Sequence, residues 1–326
     1  MKPEFLRQLT RLLLACGAAL FASHTAAAEA RILPPPTRVS PHVYAWLGPH
    51  GGPSPENKGF RMNMVFVVGS EAVAVIETGY HEPMAREMLA QIARITKAPV
   101  KYVINTNSQP DRFLGNETFR RQGATIIASA PEAKRMATLG GMFAQASEAA
   151  LKLQPGSIEV PGQPDRIIEG EAELDLGNVK VKLYQFGPAH TPGPLVVHIP
   201  RDKVVYGGDI LYRGRLPAVV DGGDVKSWIE GFDRLGTFGD VTFVPGHGKP
   251  AKLAAFEFPT RDYLSLLRKH MRKAIVQGMS QQDAIRTLDQ SAFAKLENYQ
   301  ELAGRNASIA YIEAEADAFE QPRPIQ

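Results

Sequence analysis

Apolar positions along this chain switch repeatedly between a two-residue and a 3.6-residue period, and those switches lay out its elements. Val65 to Val68 and Ala72 to Ile76 are β-branched runs separated by Gly69-Ser70, which predicts a hairpin. Met84, Met88, Leu89, Ile92 and Ile95 fall at helical spacing over residues 82–96, with Pro83 suited to the first turn. Val100 to Ile104 reads as the next strand, and Phe119 to Ser129 with a helix over about 131–153 repeats the alternation. Ahead of these, Arg31 to Arg61 is rich in proline and glycine, with a strand-like piece at His42 to Leu47. Beyond the turn-rich Pro155 to Gln163 come strand-like runs at Ala172 to Leu176, Val179 to Phe186, Pro194 to Ile199 and Lys203 to Tyr206. Asp224 is placed to cap a helix from Val225 to Leu235, and Val241 to Val244 is a last short strand. From Phe258 to Ala318 stripes such as Leu264, Leu267, Met271 and Ile275 predict packed helices, and Phe319 to Gln326 is expected to fray. Strand–helix units in both halves predict an α/β domain over 31–257, with a C-terminal helical extension over 258–326.

Composition adds little to this picture except at the N-terminus. The 326 residues are 44% apolar and 22% charged with a net charge of +3, an ordinary globular balance that gives no basis for nucleic-acid binding. Residues 1–30 read as a secretory signal peptide. Lys2, Arg7 and Arg11 form a basic start, Leu12 to Ala22 an apolar stretch, and Ala26-Ala27-Ala28 or Ala28-Glu29-Ala30 a cleavage site. The apolar stretch is too short to span a bilayer, so the mature chain is expected in the periplasm or secreted, without a membrane span. Cys16, the single cysteine, lies inside the leader, where Leu13-Leu14-Ala15-Cys16 leaves a lipoprotein cleavage as the alternative. Any metal on the mature chain must therefore be held by His, Asp or Glu.

Four segments bring polar groups to strand ends. They are Asn105-Thr106-Asn107-Ser108-Gln109-Pro110-Asp111-Arg112, Gly187-Pro188-Ala189-His190-Thr191-Pro192-Gly193, Gly207-Gly208-Asp209 directly after an apolar strand, and Pro245-Gly246-His247-Gly248. Glycines around one His or Asp let backbone crowd a site while the side chain points inward. The other histidines carry weaker signals. His198 lies in a strand, His42, His50 and His270 have no motif around them, and His81 fits a structural place in a loop.

In this order and spacing the four segments resemble the metallo-β-lactamase superfamily, and Val73-Ala74-Val75-Ile76-Glu77-Thr78-Gly79 resembles the strand and turn that precede its site. The likeness covers about residues 40–255 and implies an αββα sandwich with a metal site at one edge of the two sheets. The helical tail adds a similarity to exported metallo-hydrolase-like proteins associated with bacterial quinoprotein systems. The resemblance places the first metal on positions 107, 109 and His190, and the second on Asp111, 112 and His247, with Asp209 bridging. Here 107, 109 and 112 are Asn107, Gln109 and Arg112, so three of seven ligand positions are substituted. Glu77 stands where the family has an aspartate that supports the metal loop from behind.

Asn and Gln offer only a neutral oxygen, a weak zinc ligand, and a guanidinium cannot ligate at all. Two arrangements follow. Asp111, His190, Asp209 and His247 converge on a single ion, zinc or else manganese or iron, with Asp111 the catalytic group that orients water. Alternatively no metal binds and Arg112 pairs with the aspartates. The first implies hydrolysis of a small ester, thioester or lactam-type substrate. The second implies a non-catalytic binding or accessory protein with a small-molecule ligand.

Overall fold

The two-residue alternation sorts strand side chains between an inner layer and two outer ones. The computed structural model describes residues 31–320. The expected leader, residues 1–30 with Cys16, and most of the expected fraying end, 321–326, lie outside the described residues. One sheet runs, in spatial order, β1 (Thr37–Arg38), β2 (Val43–Trp46), β3 (Met64–Val68), β4 (Val73–Ile76), β5 (Val100–Ile104), β6 (Thr125–Ser129) and β7 (Arg166–Ile168). Its first four strands pair antiparallel and the rest parallel. Parallel neighbours need crossovers. These are α1 (Glu82–Ile95), the short turns α2 (Pro110–Phe113) and α3 (Asn116–Arg120), and α4 (Ala130–Leu151).

The second sheet is ordered β12-β11-β10-β9-β8, from β8 (Glu171–Asp175), β9 (Lys180–Gln185), β10 (Leu195–Ile199), β11 (Val204–Tyr212) and β12 (Thr242–His247). Only β11 and β12 are parallel, joined through α5 (Val225–Leu235). Asp224 caps α5 by accepting from the Ser227 amide at 2.5 Å, as its position predicts.

Val65, Val67, Ala74 and Ile76 face Leu183, Val197 and Val204 between the sheets. One register over, Phe66, Val73 and Val75 pack on Met84, Met88 and Ile92 of α1. On the other outer face, Val196 and Val205 meet Trp228 and Phe232 of α5. The same apolar cluster takes in Leu264, Leu267 and Met271 of α6 (Tyr263–Val276) and Leu302 and Ala307 of the last helix. Each such buried Val, Leu or Met contributes roughly 1.5–3 kcal/mol, enough to seat the tail helices on the sheet. This is the αββα sandwich expected, plus C-terminal helices, and from Ile32 onward it is one compact unit. No helix among the described residues is long and apolar enough to cross a membrane.

Two local expectations need correction. Residues 119–129 are not one strand: Phe119 is buried from α3, Gly123 turns at φ +85°, and the strand starts only at Thr125. The expected set of tail helices consists of α6, α7 (Gln281–Thr287) and α8 (Tyr299–Glu320), with Gly278 at φ +66° ending the run after α6. Gly207-Gly208-Asp209 does not follow a strand but lies within β11, where its register against β12 is broken on both sides of Gly208. An irregularity of that kind re-aims a side chain, here that of Asp209.

Candidate functional site

All four polar segments reach the same edge of the sandwich. The loop after β5 carries Asn107 to Arg112, the β9–β10 connection carries His190, the irregular part of β11 carries Asp209, and the end of β12 carries His247. A Cβ at Gly246 would stand 2.1 Å from Asp209 Oδ1, so only glycine leaves room for that carboxylate beside β12.

Arg112 occupies the centre. Its side chain is 1% exposed, and its guanidinium meets Asp209 through two parallel bonds, Nη2 to Oδ1 at 2.7 Å and Nε to Oδ2 at 3.1 Å. Nη1 donates to the Asn63 carbonyl at 3.3 Å, and Nη2 lies 3.3 Å from His247 Nε2. Asp111 Oδ1 stands 3.6 Å from Nε. A planar fork on a carboxylate is the strong form of this ion pair. Burial opposes the charge on Asp209 most strongly, but the Arg112 guanidinium, His190 and the hydrogen bonds from Asn107 and Arg112 together hold the carboxyl below its ordinary range.

The neighbours are polarised around that cation. Asn107 accepts from the Gln109 amide with Oδ1 at 2.9 Å, which leaves its Nδ2 to donate to Asp209 Oδ2 at 2.8 Å. It therefore presents hydrogen, not oxygen, towards the site. Gln109 is half-buried, and its side chain makes no capping hydrogen bond to α2 among the described residues. His247 uses Nδ1 on the Arg61 carbonyl at 3.1 Å, so its Nε2 accepts from Arg112. Burial, then the charges of Arg215, Arg112 and Arg61, push His247 well below the usual histidine range. His190 uses Nδ1 on the Ala218 carbonyl at 2.8 Å, and its Nε2 is 4.0 Å from Asp209 Oδ2. Burial pushes His190 down too. Among the described residues no group of three or more His, Cys, Asp or Glu is arranged to hold a metal ion.

Glu77 lies behind the loop at φ +68°, fully buried, accepting from the Thr106 amide at 3.3 Å and from the Thr106 hydroxyl. Burial pushes its carboxyl from 4.5 up to about 8, with the Arg112 charge and the Thr106 hydroxyl opposing. The folded protein then keeps a proton that the unfolded chain releases, so this contribution to stability is full at low pH and declines from about pH 4.5 through 8. Glu77→Gln retains an oxygen for Thr106 and should flatten this decline. Thermal midpoints of variant and wild type are expected to diverge in the variant's favour as pH rises; parallel curves would mean that Glu77 folds as a carboxylate.

Several contributors carry no motif. Arg61 donates to Asp111 Oδ2 at 3.4 Å from within the proline- and glycine-rich segment. Asn63 ties the β12 end in place through the Pro245 and Gly248 carbonyls, at 2.8 and 2.7 Å. The Tyr212 ring stacks on His247 at 5.3 Å, and Arg215 lies 5.7 Å over that ring. Arg215 is 3% exposed and donates only to backbone carbonyls, of Leu216 at 3.3 Å and His50 at 3.4 Å; it has no carboxylate partner among the described residues. In the sequence Arg215 is marked only by its place in Arg213-Gly214-Arg215, and its burial is not legible there. Of the remaining histidines, His81 caps α1 and His42 binds Asp202, while His198 lies on the outer face against Phe238.

A family model described as the metallo-beta-lactamase superfamily matches residues 58–247. Among curated proteins the chain is similar to a metallo-beta-lactamase type 2 of Bacillus cereus, 22% identical over 211 residues, spanning 64% of this chain and 73% of that one. It is also similar to a linear primary-alkylsulfatase of Pseudomonas sp. (strain ATCC 19151), 19% identical over 212 residues, 55% of this chain and 40% of the relative. A solved metallo-beta-lactamase from Pontibacter korlensis superposes with a TM-score of 0.56 at 22% identity, covering 71% of this chain and 98% of that structure. Such a likeness speaks for the fold; function has to be argued from the site.

Proposed function

We propose that this chain, which belongs to the metallo-β-lactamase superfamily, is a metal-free binding or accessory protein on a hydrolase-like scaffold. Arg112 carries this reading. Its guanidinium already engages both oxygens of Asp209 and the Nε2 of His247, the atoms a second-site ion would need. The first site keeps His190 and a share in Asp209, while Asn107 offers a donor hydrogen. Zinc takes about three or four His, Cys or carboxylate ligands, and the residues present do not fit it. Export to the periplasm or medium by residues 1–30 belongs to the same proposal.

The charge of the ligand follows from the balance of charged groups at the site. Arg61, Arg112 and Arg215 stand against Asp111 and Asp209, and burial favours the neutral form of Glu77 below about pH 8. Arg215, buried without a carboxylate partner among the described residues, supports a small anionic ligand that would complete its partners.

Zinc loading of the purified mature protein, followed by dialysis and elemental analysis, tests the reading. Less than about 0.1 equivalent is expected, since the first position keeps only His190 and Asp209, and at the second the Arg112 guanidinium already engages Asp209 and His247. A tightly held equivalent that disappears in His190→Ala and in His247→Ala would instead establish the mononuclear site on Asp111, His190, Asp209 and His247, and with it the hydrolase reading.

A further inference from the structure

The His190 loop rests on the segment 214–226, and that segment rests on the C-terminal helix. His190 donates from Nδ1 to the Ala218 carbonyl at 2.8 Å, and the Asp224 amide donates to the Ala189 carbonyl at 2.8 Å. On both sides of Ala218, one side chain of α8 holds the backbone: Asn306 Oδ1 accepts from the Val219 amide at 2.9 Å, and its Nδ2 donates to the Pro217 carbonyl at 2.7 Å. Asn306 is fully buried, and Nδ2 is also 3.1 Å from the Tyr263 hydroxyl, which donates to Gln290 Oε1 at 2.9 Å. Every polar atom of the amide is thus used. Seven residues on, two helical turns along the same face, Glu313 accepts from the Val225 amide at 2.8 Å and the Lys226 amide at 3.3 Å. Ahead of the helix, Glu297 exchanges backbone bonds with Gly214 and Leu216 at 3.1 and 3.0 Å. Ala303, Ala307, Ala310 and Ala314, all buried, repeat along that face and let the helix approach closely enough for these short side chains to reach.

We propose that Asn306 is a positioning residue of the candidate site, fixing the 217–219 backbone so that the Ala218 carbonyl orients the His190 ring. The C-terminal helix, outside the 58–247 match, is by this inference part of the site rather than an appended support. The Val219 N–H lies in the same planar peptide as the Ala218 carbonyl, so an amide that accepts from it and donates to the carbonyl of the preceding peptide fixes the Ala218 carbonyl in direction as well as place. That carbonyl selects the tautomer of His190, with hydrogen on Nδ1 and a lone pair on Nε2 turned to Asp209. The inference is independent of whether the site takes a metal or a ligand, since both would meet the same Nε2.

The test uses the full mature chain with imidazole nitrogens labelled and the His190 tautomer read by NMR at fixed pH. Wild type is expected almost wholly in the Nδ1–H form. Asn306→Ala is expected to shift the tautomer ratio by roughly fivefold, the weight of one net hydrogen bond. Asn306→Asp keeps the acceptor for Val219 and loses the donor to Pro217, so it should move the ratio in the same direction and serves if the alanine variant does not fold. Leu302→Ala, a truncation in the same helix that touches none of these bonds, is the control for mere loss of stability. It should leave the His190 signature in place. An unchanged signature in the folded Asn306 variants, or an equal shift in Leu302→Ala, overturns the proposal.

Discussion

Arg112→Met is expected to cost about 3–5 kcal/mol of folding stability, the usual loss when one partner of a buried ion pair is removed. Methionine fills much of the volume but leaves the Asp209 carboxylate, 4% exposed, with only the Asn107 amide and two histidines around it. Asp209 would then take up a proton. Its folded pKa would rise above the unfolded value, so the deficit should shrink as pH is lowered towards about 4 and be largest at neutral pH. Denaturant titrations of both proteins across that range measure it. Adding Asp209→Asn to Arg112→Met removes the stranded charge and should recover much of the loss. A single variant within about 1 kcal/mol of wild type at neutral pH would mean that the pair contributes like a surface one, and the central place given to Arg112 would be wrong.

The second large effect is a gain. Asn107→His, Gln109→His and Arg112→His together remove the internal cation and supply three imidazoles beside His190, Asp209, Asp111 and His247. About one to two equivalents of zinc should then survive dialysis, since each position would have at least three strong ligands. Zinc at about a hundredfold over its dissociation constant should also raise stability by about 2.7 kcal/mol. Wild type should show neither change. Since Gly246 leaves space for Asp209 and Glu77 holds the loop at Thr106, the scaffold the ions need is in place. A folded triple variant that stays zinc-free would show that the loop itself has departed from the family's geometry, beyond its three side chains.

Much of the scaffold was legible along the chain because its causes are local. The hairpin at Gly69-Ser70, the helix behind Pro83 and the Asp224 cap each depend on a few adjacent residues, and each formed where expected. Misreadings arose where one residue overrode a pattern. Gly123 ended a run that looked like strand, and β11 carried on through Gly207 and Gly208 because β12 was there to pair with it. Arg61 and Arg215 stayed hidden for a different reason: neither lies in a motif, and both enter the site only because distant segments fold over it.

The sequence by itself determined the alternation of strands and helices in an α/β domain, for which apolar periodicity suffices. The sandwich, the common edge of the four loops and the substituted positions 107, 109 and 112 were expected from the resemblance those segments carry. Only the tertiary structure placed Arg112 on its partners Asp209 and His247, which lie 97 and 135 positions further along. The same holds for the tautomers of His190 and His247, set by the carbonyls of Ala218 and Arg61. A buried charge is stable only with partners, and which groups become partners is settled by packing across the whole chain.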